Sequence, residues 1–312
     1  MTKLRIFAGN SNVQLAKEIC AHLDMQLSSL SINTFSNGNL SVQIQTNVRE
    51  KDVFVLQSFT EPVDRSIMEL FIIMDALRSA SARRITAVIP YFSYSRSDKK
   101  DAPRISIAGR LMADLLKEAG AHRVLTMDLH SDCVHGFFSM PVDHLTAIPI
   151  IAEHIAQNMD LSSAVAVATD AGGAKRVGRF VGYLNIPMAI IDKRRISDVE
   201  VKQGLVVGEV QGRDAVIFDD EISTGGTLVA TAKTLAEAGV KKMVMGVTHP
   251  VLCGAALENI RKSELDRVVA TNTVYVDKEK KIEQLSLLSV APLFAEAIKR
   301  IHTGESVGAL FK

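Results

Sequence analysis

The sequence predicts an α/β protein built from two copies of one unit, each a mainly parallel sheet flanked by helices. Three observations predict it. Short apolar runs alternate with helix-compatible segments along the chain, one of these alternating patterns recurs later without a gap, and the apolar runs end at residues suited to binding rather than packing. Alternation of this kind favours parallel strands, because each helix crosses back over the sheet before the next strand begins. Ligands in such sheets lie beyond the carboxyl ends of the strands.

The elements follow in order. Residues 4–7 read as a strand and 13–23 as its helix. Residues 85–89 form the next clear apolar strand, followed by a helical segment over 107–117. The run 118–130, Glu-Ala-Gly-Ala-His-Arg-Val-Leu-Thr-Met-Asp-Leu-His, then reads as helix end, glycine cap, strand and histidine. Its counterpart is 237–249, Glu-Ala-Gly-Val-Lys-Lys-Met-Val-Met-Gly-Val-Thr-His, itself preceded by a strand at 215–218 and a helix at 228–236. Between the copies, 164–168 and 174–184 repeat the strand-helix alternation, and a further strand ends at Ile190-Ile191. The tail beyond Ser289 is helical over 293–301 and is assignable to either half.

A chain of 312 residues is long for one core, so two domains are expected. The repeat places the boundary between them, giving residues 1–147 and 148–312, with the last residues free to pack on the first domain. Hydrophobic residues at 47% and charged residues at 23% describe an ordinary globular chain, and a formal charge of +1 excludes a general attraction to nucleic acid or anionic membrane. Any polyanion site is therefore local. Cys20, Cys133 and Cys253 are too scattered for a paired metal spacing or a disulfide framework, and read as small buried residues in a reducing compartment. Residues 1–9 begin as a strand rather than a leader, and no uncharged apolar run reaches bilayer length, so a cytoplasmic protein is expected.

The strand ends supply the candidate sites. After Ile217-Phe218 come Asp219, Asp220, Glu221 and Ile222, then the small-residue loop Ser223, Thr224, Gly225, Gly226, Thr227. Two carboxylates there can accept from neighbouring sugar hydroxyls, while backbone N–H groups and hydroxyls of the loop cradle a phosphate. The alternative is a tight turn whose acids suit a helix N-terminus. Asp170-Ala171-Gly172-Gly173 allows close backbone approach to a phosphate and offers Asp170 to Mg2+, or else Asp170 caps the following helix.

Asp192 is followed by Lys193, Arg194 and Arg195, a like-charge cluster that either stays solvated or meets an anion; residues 196–210 have little helical pattern and read as a loop able to bring Lys193 and Arg195 onto transferring phosphates. Residues 90–100 join Tyr91, Phe92 and Tyr94 to Arg96, Ser97, Lys99 and Lys100, a combination suited to a purine beside phosphates or to a half-buried structural loop. His130, after Asp128-Leu129, is placed for a phosphate or metal, although its aligned twin His249 ties part of that signal to the duplication.

These motifs, in this order, resemble the ribose-phosphate pyrophosphokinase family across essentially the whole chain. Matching stretches include Phe35-Ser36-Asn37-Gly38, Ile67-Met68-Glu69-Leu70, Val88-Ile89-Pro90-Tyr91, Asp128-Leu129-His130, Gly136-Phe137-Phe138, Asp192-Lys193-Arg194-Arg195 and Thr248-His249-Pro250-Val251-Leu252. The resemblance implies two phosphoribosyltransferase-like domains and an enzyme that moves the β,γ-diphosphoryl group of ATP to the C1 hydroxyl of ribose 5-phosphate, giving phosphoribosyl pyrophosphate and AMP. It assigns the ribose hydroxyls to Asp219 and Asp220, the 5-phosphate to residues 223–227, and Mg2+ and the ATP phosphates to Asp170 and His130. It assigns the nucleotide to Phe35, Asn37, Asn39, Arg96, Ser97 and His130, and charge neutralisation during transfer to Lys193 and Arg195. Phe35 and its neighbours would reach the adenine of an adjacent subunit, which implies a homo-oligomer, a hexamer built from dimers.

The chain departs from the family pattern where Asn37 and Asn39 replace carboxylates, Ser97 replaces Gln, Ala171 replaces His, Cys133 replaces Gln and Ser223 replaces the third acid of the sugar loop. An amide both donates and accepts, so the departures open two alternatives. One is a catalytically weak regulatory homologue, and the other is the same chemistry with a different nucleotide donor or pentose phosphate.

Overall fold

The computed structural model describes residues 3–192 and 204–311. The chain divides into two compact units, the first formed by Met1–Thr146, Thr273–Tyr275 and Ser289–Lys312, the second by Ala147–Asn272 and Val276–Leu288. Among the described residues no helix is long and apolar enough to cross a membrane.

The first unit runs through β1 (Leu4–Ala8), α1 (Val13–His22), β2 (Leu30–Thr34), β3 (Leu40–Ile44), β4 (Asp52–Leu56), α2 (Val63–Ser79), β5 (Arg84–Ile89), α3 (Ala108–Glu118), β6 (Arg123–Met127) and β7 (Val142–Leu145). Five strands form one sheet in the order β1-β4-β5-β6-β7, every pair parallel, and β2–β3 stand apart as an antiparallel hairpin. The central strands read as unbroken apolar runs because helices cover both faces. Phe54, Val55, Ile85, Ala87 and Val124 are fully buried.

The second unit runs through α4 (Ile148–Asn158), β8 (Ala164–Ala168), α5 (Ala174–Leu184), β9 (Met188–Asp192), β10 (Leu205–Val207), β11 (Asp214–Ile222), α6 (Gly226–Glu237), β12 (Met243–Pro250), α7 (Ala256–Lys262), β13 (Arg267–Thr271) and β14 (Leu285–Leu288). Its sheet has the order β10-β9-β8-β11-β12-β13-β14, with β10 antiparallel to β9 and the remaining pairs parallel. At its centre Gly246 admits α4: a Cβ there would stand 2.7 Å from a methyl of Ile151 and 3.2 Å from the ring of Phe218.

The duplication is visible in the backbone. Both helices whose ends open the repeated motif close on a left-handed glycine, Gly120 at φ +109° and Gly239 at φ +82°. In each the next N–H reaches back across the turn, Ala121 to the Leu116 carbonyl at 3.0 Å and Val240 to the Leu235 carbonyl at 3.1 Å. That wrap is a glycine-terminated helix stop, and β6 or β12 follows it.

One open expectation is decided and two change. The tail, assignable to either half from sequence, belongs to the first unit: after β14 the chain returns there, and α8 (Ala291–Thr303) buries Phe294, Ala297 and Ile298. The strand carrying the acids does not stop at Phe218 but extends to Ile222, because β12 is long enough to go on pairing it, Asp219 with Val247 and Glu221 with His249. The cysteines are not uniformly buried, since Cys133 is exposed in a short 3-10 turn and Cys253 is half-buried, leaving Cys20 as the buried one.

Candidate sugar-phosphate and nucleotide sites

The acids sit where β11 loses one neighbour. Its pairing with β8 ends at Phe218–Ala168, while pairing with β12 continues, so Asp219 and Asp220 stand where the sheet opens beside the end of β8. Asp220 is only 1% exposed, whereas the Asp219 side chain keeps 21% of its surface open. Two carboxylates this close repel each other and cost free energy when buried, unless a cation meets them. Arg176, in the first turn of α5, is that cation. Its Nη1 donates to Asp220 Oδ1 at 2.7 Å and to Asp219 Oδ1 at 3.2 Å. Asp219 also accepts from its neighbour's backbone N–H at 2.9 Å and from the Thr169 hydroxyl at 3.3 Å. Burial and the adjacent Asp220 charge together push the Asp219 carboxyl up to about 7, against the opposing pull of Arg176.

Beyond Ile222 the chain turns at Ser223–Thr227 into α6. Gly225 adopts φ +77° at the N-cap, a conformation open to glycine, and neither a side-chain cap nor an acid in the first turn occupies the start of this twelve-residue helix. Backbone N–H groups at such a start suit an anion. The loop is held in place from α7 and the turn before it: Asn259 Nδ2 donates to the Thr224 carbonyl at 2.8 Å, Cys253 N donates to the Ser223 carbonyl at 3.0 Å, and Ser223 Oγ lies 3.2 Å from Cys253 Sγ. At the end of β8 the Asp170 carboxylate accepts from Gly173 N at 2.8 Å, folding residues 170–173 into a turn that starts α5.

The other candidates belong to the first unit. Phe35, 59% exposed, lies at the tip of the β2–β3 hairpin, where Asn37 Oδ1 accepts from Asn39 N at 3.1 Å and Gly38 takes φ +87°. Ser97 is occupied in local structure: its hydroxyl accepts from Ala108 N at 3.0 Å and donates to the Ser106 carbonyl at 3.2 Å, bracing the start of α3. Arg96, next to it, is exposed, and His130 is half-buried after the end of β6. Asp98 accepts from Ser131 Oγ at 2.5 Å, which joins the segment carrying Arg96 and Ser97 to the one carrying His130. Lys193 and Arg195 lie outside the described residues. Among the described residues no three His, Cys, Asp or Glu side chains gather as a metal cage.

Sequence reasoning missed Arg176, Asn259 and Thr169. Only Arg176 carried a signal: Lys175 and Arg176 open α5, where the helix dipole favours acids, so a cation there needs a local carboxylate.

The sequence comparisons agree in direction. Residues 4–120 match the family described as the N-terminal domain of ribose phosphate pyrophosphokinase, and residues 201–312 match the phosphoribosyl synthetase-associated domain. A ribose-phosphate pyrophosphokinase of Deinococcus radiodurans is 49% identical over 312 residues, covering 99% of this chain and 98% of that one. One from Aquifex aeolicus is 42% identical over 311 residues, covering 100% of both. The crystal structure of phosphoribosylpyrophosphate synthetase from Mycobacterium smegmatis superposes with a TM-score of 0.93 at 36% identity, covering 97% of this chain and 99% of that one.

Proposed function

The chain belongs to the ribose-phosphate pyrophosphokinase family, and from that premise we propose that it transfers the diphosphoryl group of ATP to the C1 hydroxyl of ribose 5-phosphate, with Mg2+, yielding phosphoribosyl pyrophosphate and AMP. The observation that carries this reading is the carboxylate pair Asp219–Asp220 standing at a strand end directly before a glycine-started helix. The pair accepts two adjacent ribose hydroxyls, and the N–H groups of residues 223–227 take the 5-phosphate. O1 of the sugar then attacks the β-phosphorus of ATP and AMP leaves.

The donor set suits magnesium. That ion keeps waters and substrate phosphate oxygens and asks the protein for one or two carboxylates rather than a cage. Asp170, exposed at the end of β8, offers one, and His130 is the other candidate contact. When bound, the ion would neutralise phosphate charge; Lys193 and Arg195 would add to that neutralisation. The protein's own share is mostly positioning and electrostatics. In keeping with this reading, Phe35, Asn37, Asn39, Arg96 and Ser97 would bind the nucleotide, a cytoplasmic homo-oligomer would be the working form, and the exposed Phe35 hairpin is the element available to reach a neighbouring subunit.

A second reading keeps the chemistry and changes the donor. It rests on Asn37 Oδ1 and the Ser97 hydroxyl, each engaged in local backbone structure. One assay addresses both: purified protein, Mg2+ and ribose 5-phosphate with ATP, GTP, CTP or UTP, and chromatography for phosphoribosyl pyrophosphate and nucleoside monophosphate, with Lys193→Ala as control. Product from ATP alone supports the main reading, product from another triphosphate supports the second, and no product from any donor defeats both in favour of a regulatory homologue or of a different pentose phosphate acceptor.

A further inference from the structure

We propose that Arg176 is a positioning residue of the sugar site, holding the Asp219 and Asp220 carboxylates in one fixed arrangement that a vicinal diol can bridge. This rests on the sugar-site reading above and adds a residue that does not itself need to touch the substrate. The geometry carries it in three ways. One guanidinium nitrogen meets both acids, at 3.2 and 2.7 Å, so neither carboxylate can rotate independently of the other. The guanidinium is itself largely enclosed, with 21% of its side-chain surface exposed, which strengthens its hold relative to a solvated ion pair.

The third support is the anchor beneath it. Phe180, one helical turn after Arg176 on α5, stacks on Phe218 of β11 with ring centroids 4.7 Å apart and planes 20° apart. Both rings are buried, Phe180 at 0% and Phe218 at 2% exposure. Phe218 immediately precedes Asp219, and residues four apart share a helix face. The aromatic stack therefore fixes the register of α5 on β11 and sets Arg176 against the acids. A cation in the first turn of a helix opposes the dipole, and here the two carboxylates offset that cost.

The test compares the full-length wild type with Arg176→Ala, Arg176→Gln and Arg176→Lys, using phosphoribosyl pyrophosphate formation and, separately, calorimetric binding of ribose 5-phosphate without nucleotide. The expected result is a rise in KM and Kd for ribose 5-phosphate of about tenfold or more in the Ala and Gln variants, the loss of one charge-assisted contact's worth of order. KM for ATP should stay within about twofold, and Lys should restore part of the sugar affinity. Equal losses for both substrates, unchanged sugar affinity, or failure of both Ala and Gln variants to fold would each overturn the proposal, the last by making the cluster a structural bond. If the wild type binds ribose 5-phosphate but forms no product, the catalytic reading fails while the binding arm still decides the role of Arg176. If it binds no ribose 5-phosphate, the sugar site and this proposal fall together.

Discussion

At the scale of single residues, the sugar site is a problem of charge. Asp219 sits near pH 7 because it is buried and beside Asp220. A carboxyl raised in this way binds its proton more tightly folded than unfolded. The ligand-free protein therefore loses stability as pH climbs from about 4 to about 7, and the effect is flat outside that window. Denaturant midpoints of wild type and Asp219→Asn across that range should show it: the descending slope belongs to the wild type, and equal slopes would refute the assignment. Gly225 is the other sensitive point, since φ +77° disfavours any side chain and an added Cβ would come 3.2 Å from Asn259 Cβ. Gly225→Ala should cost about 1–2 kcal/mol and raise KM for ribose 5-phosphate, as urea unfolding and kinetics would register together. The acids and the loop could be read from residue order, since their chemistry is local. Arg176 left only a faint mark, a cation at a helix start, because its meaning depends on a strand 43 residues away.

Among the elements, what declared itself in the sequence was whatever repeats or is capped nearby. The two glycine-stopped helices and the strands after them followed from one aligned pattern, and β8, expected at 164–168, spans Ala164–Ala168. The elements that stayed hidden owe their form to partners. β11 runs four residues past Phe218 because β12 pairs with it, β10 exists as an edge beside β9, and the β2–β3 hairpin packs Leu30, Ile32, Val42 and Ile44 against the core of the first unit. Packing between elements is equally silent in a sequence, and Gly246 is the clearest case. Gly246→Ala should drive α4 off β12 and cost about 1–3 kcal/mol; the urea midpoint measures it, and an unchanged midpoint would show that Ile151 yields without strain.

For the whole molecule, duplication describes the sheets but not the chain path. The first unit is finished by α8, which is laid against it by Ser289 Oγ donating to Glu18 at 2.7 Å and Arg84 Nη2 donating to the Ile301 carbonyl at 2.9 Å. His302 Nδ1 adds a contact of 2.8 Å to Asp52 Oδ2. Phe294, wholly buried, should be the costliest truncation here, about 3–5 kcal/mol for Phe294→Ala, measured as a loss of first-unit protection in hydrogen exchange.

That borrowed helix also sets an order of birth. Ribosomes release the chain from residue 1 onward, yet the second unit needs nothing beyond Leu288, whereas the first waits for residues 289–312. The half that emerges first is thus the half that closes last, with an uncovered apolar face for the whole interval. Nascent chains arrested with residue 288 just clear of the exit tunnel should yield a protease-resistant fragment from the later half and cleavage throughout the earlier one. A chaperone guarding this protein during translation would find its client at the N-terminal end.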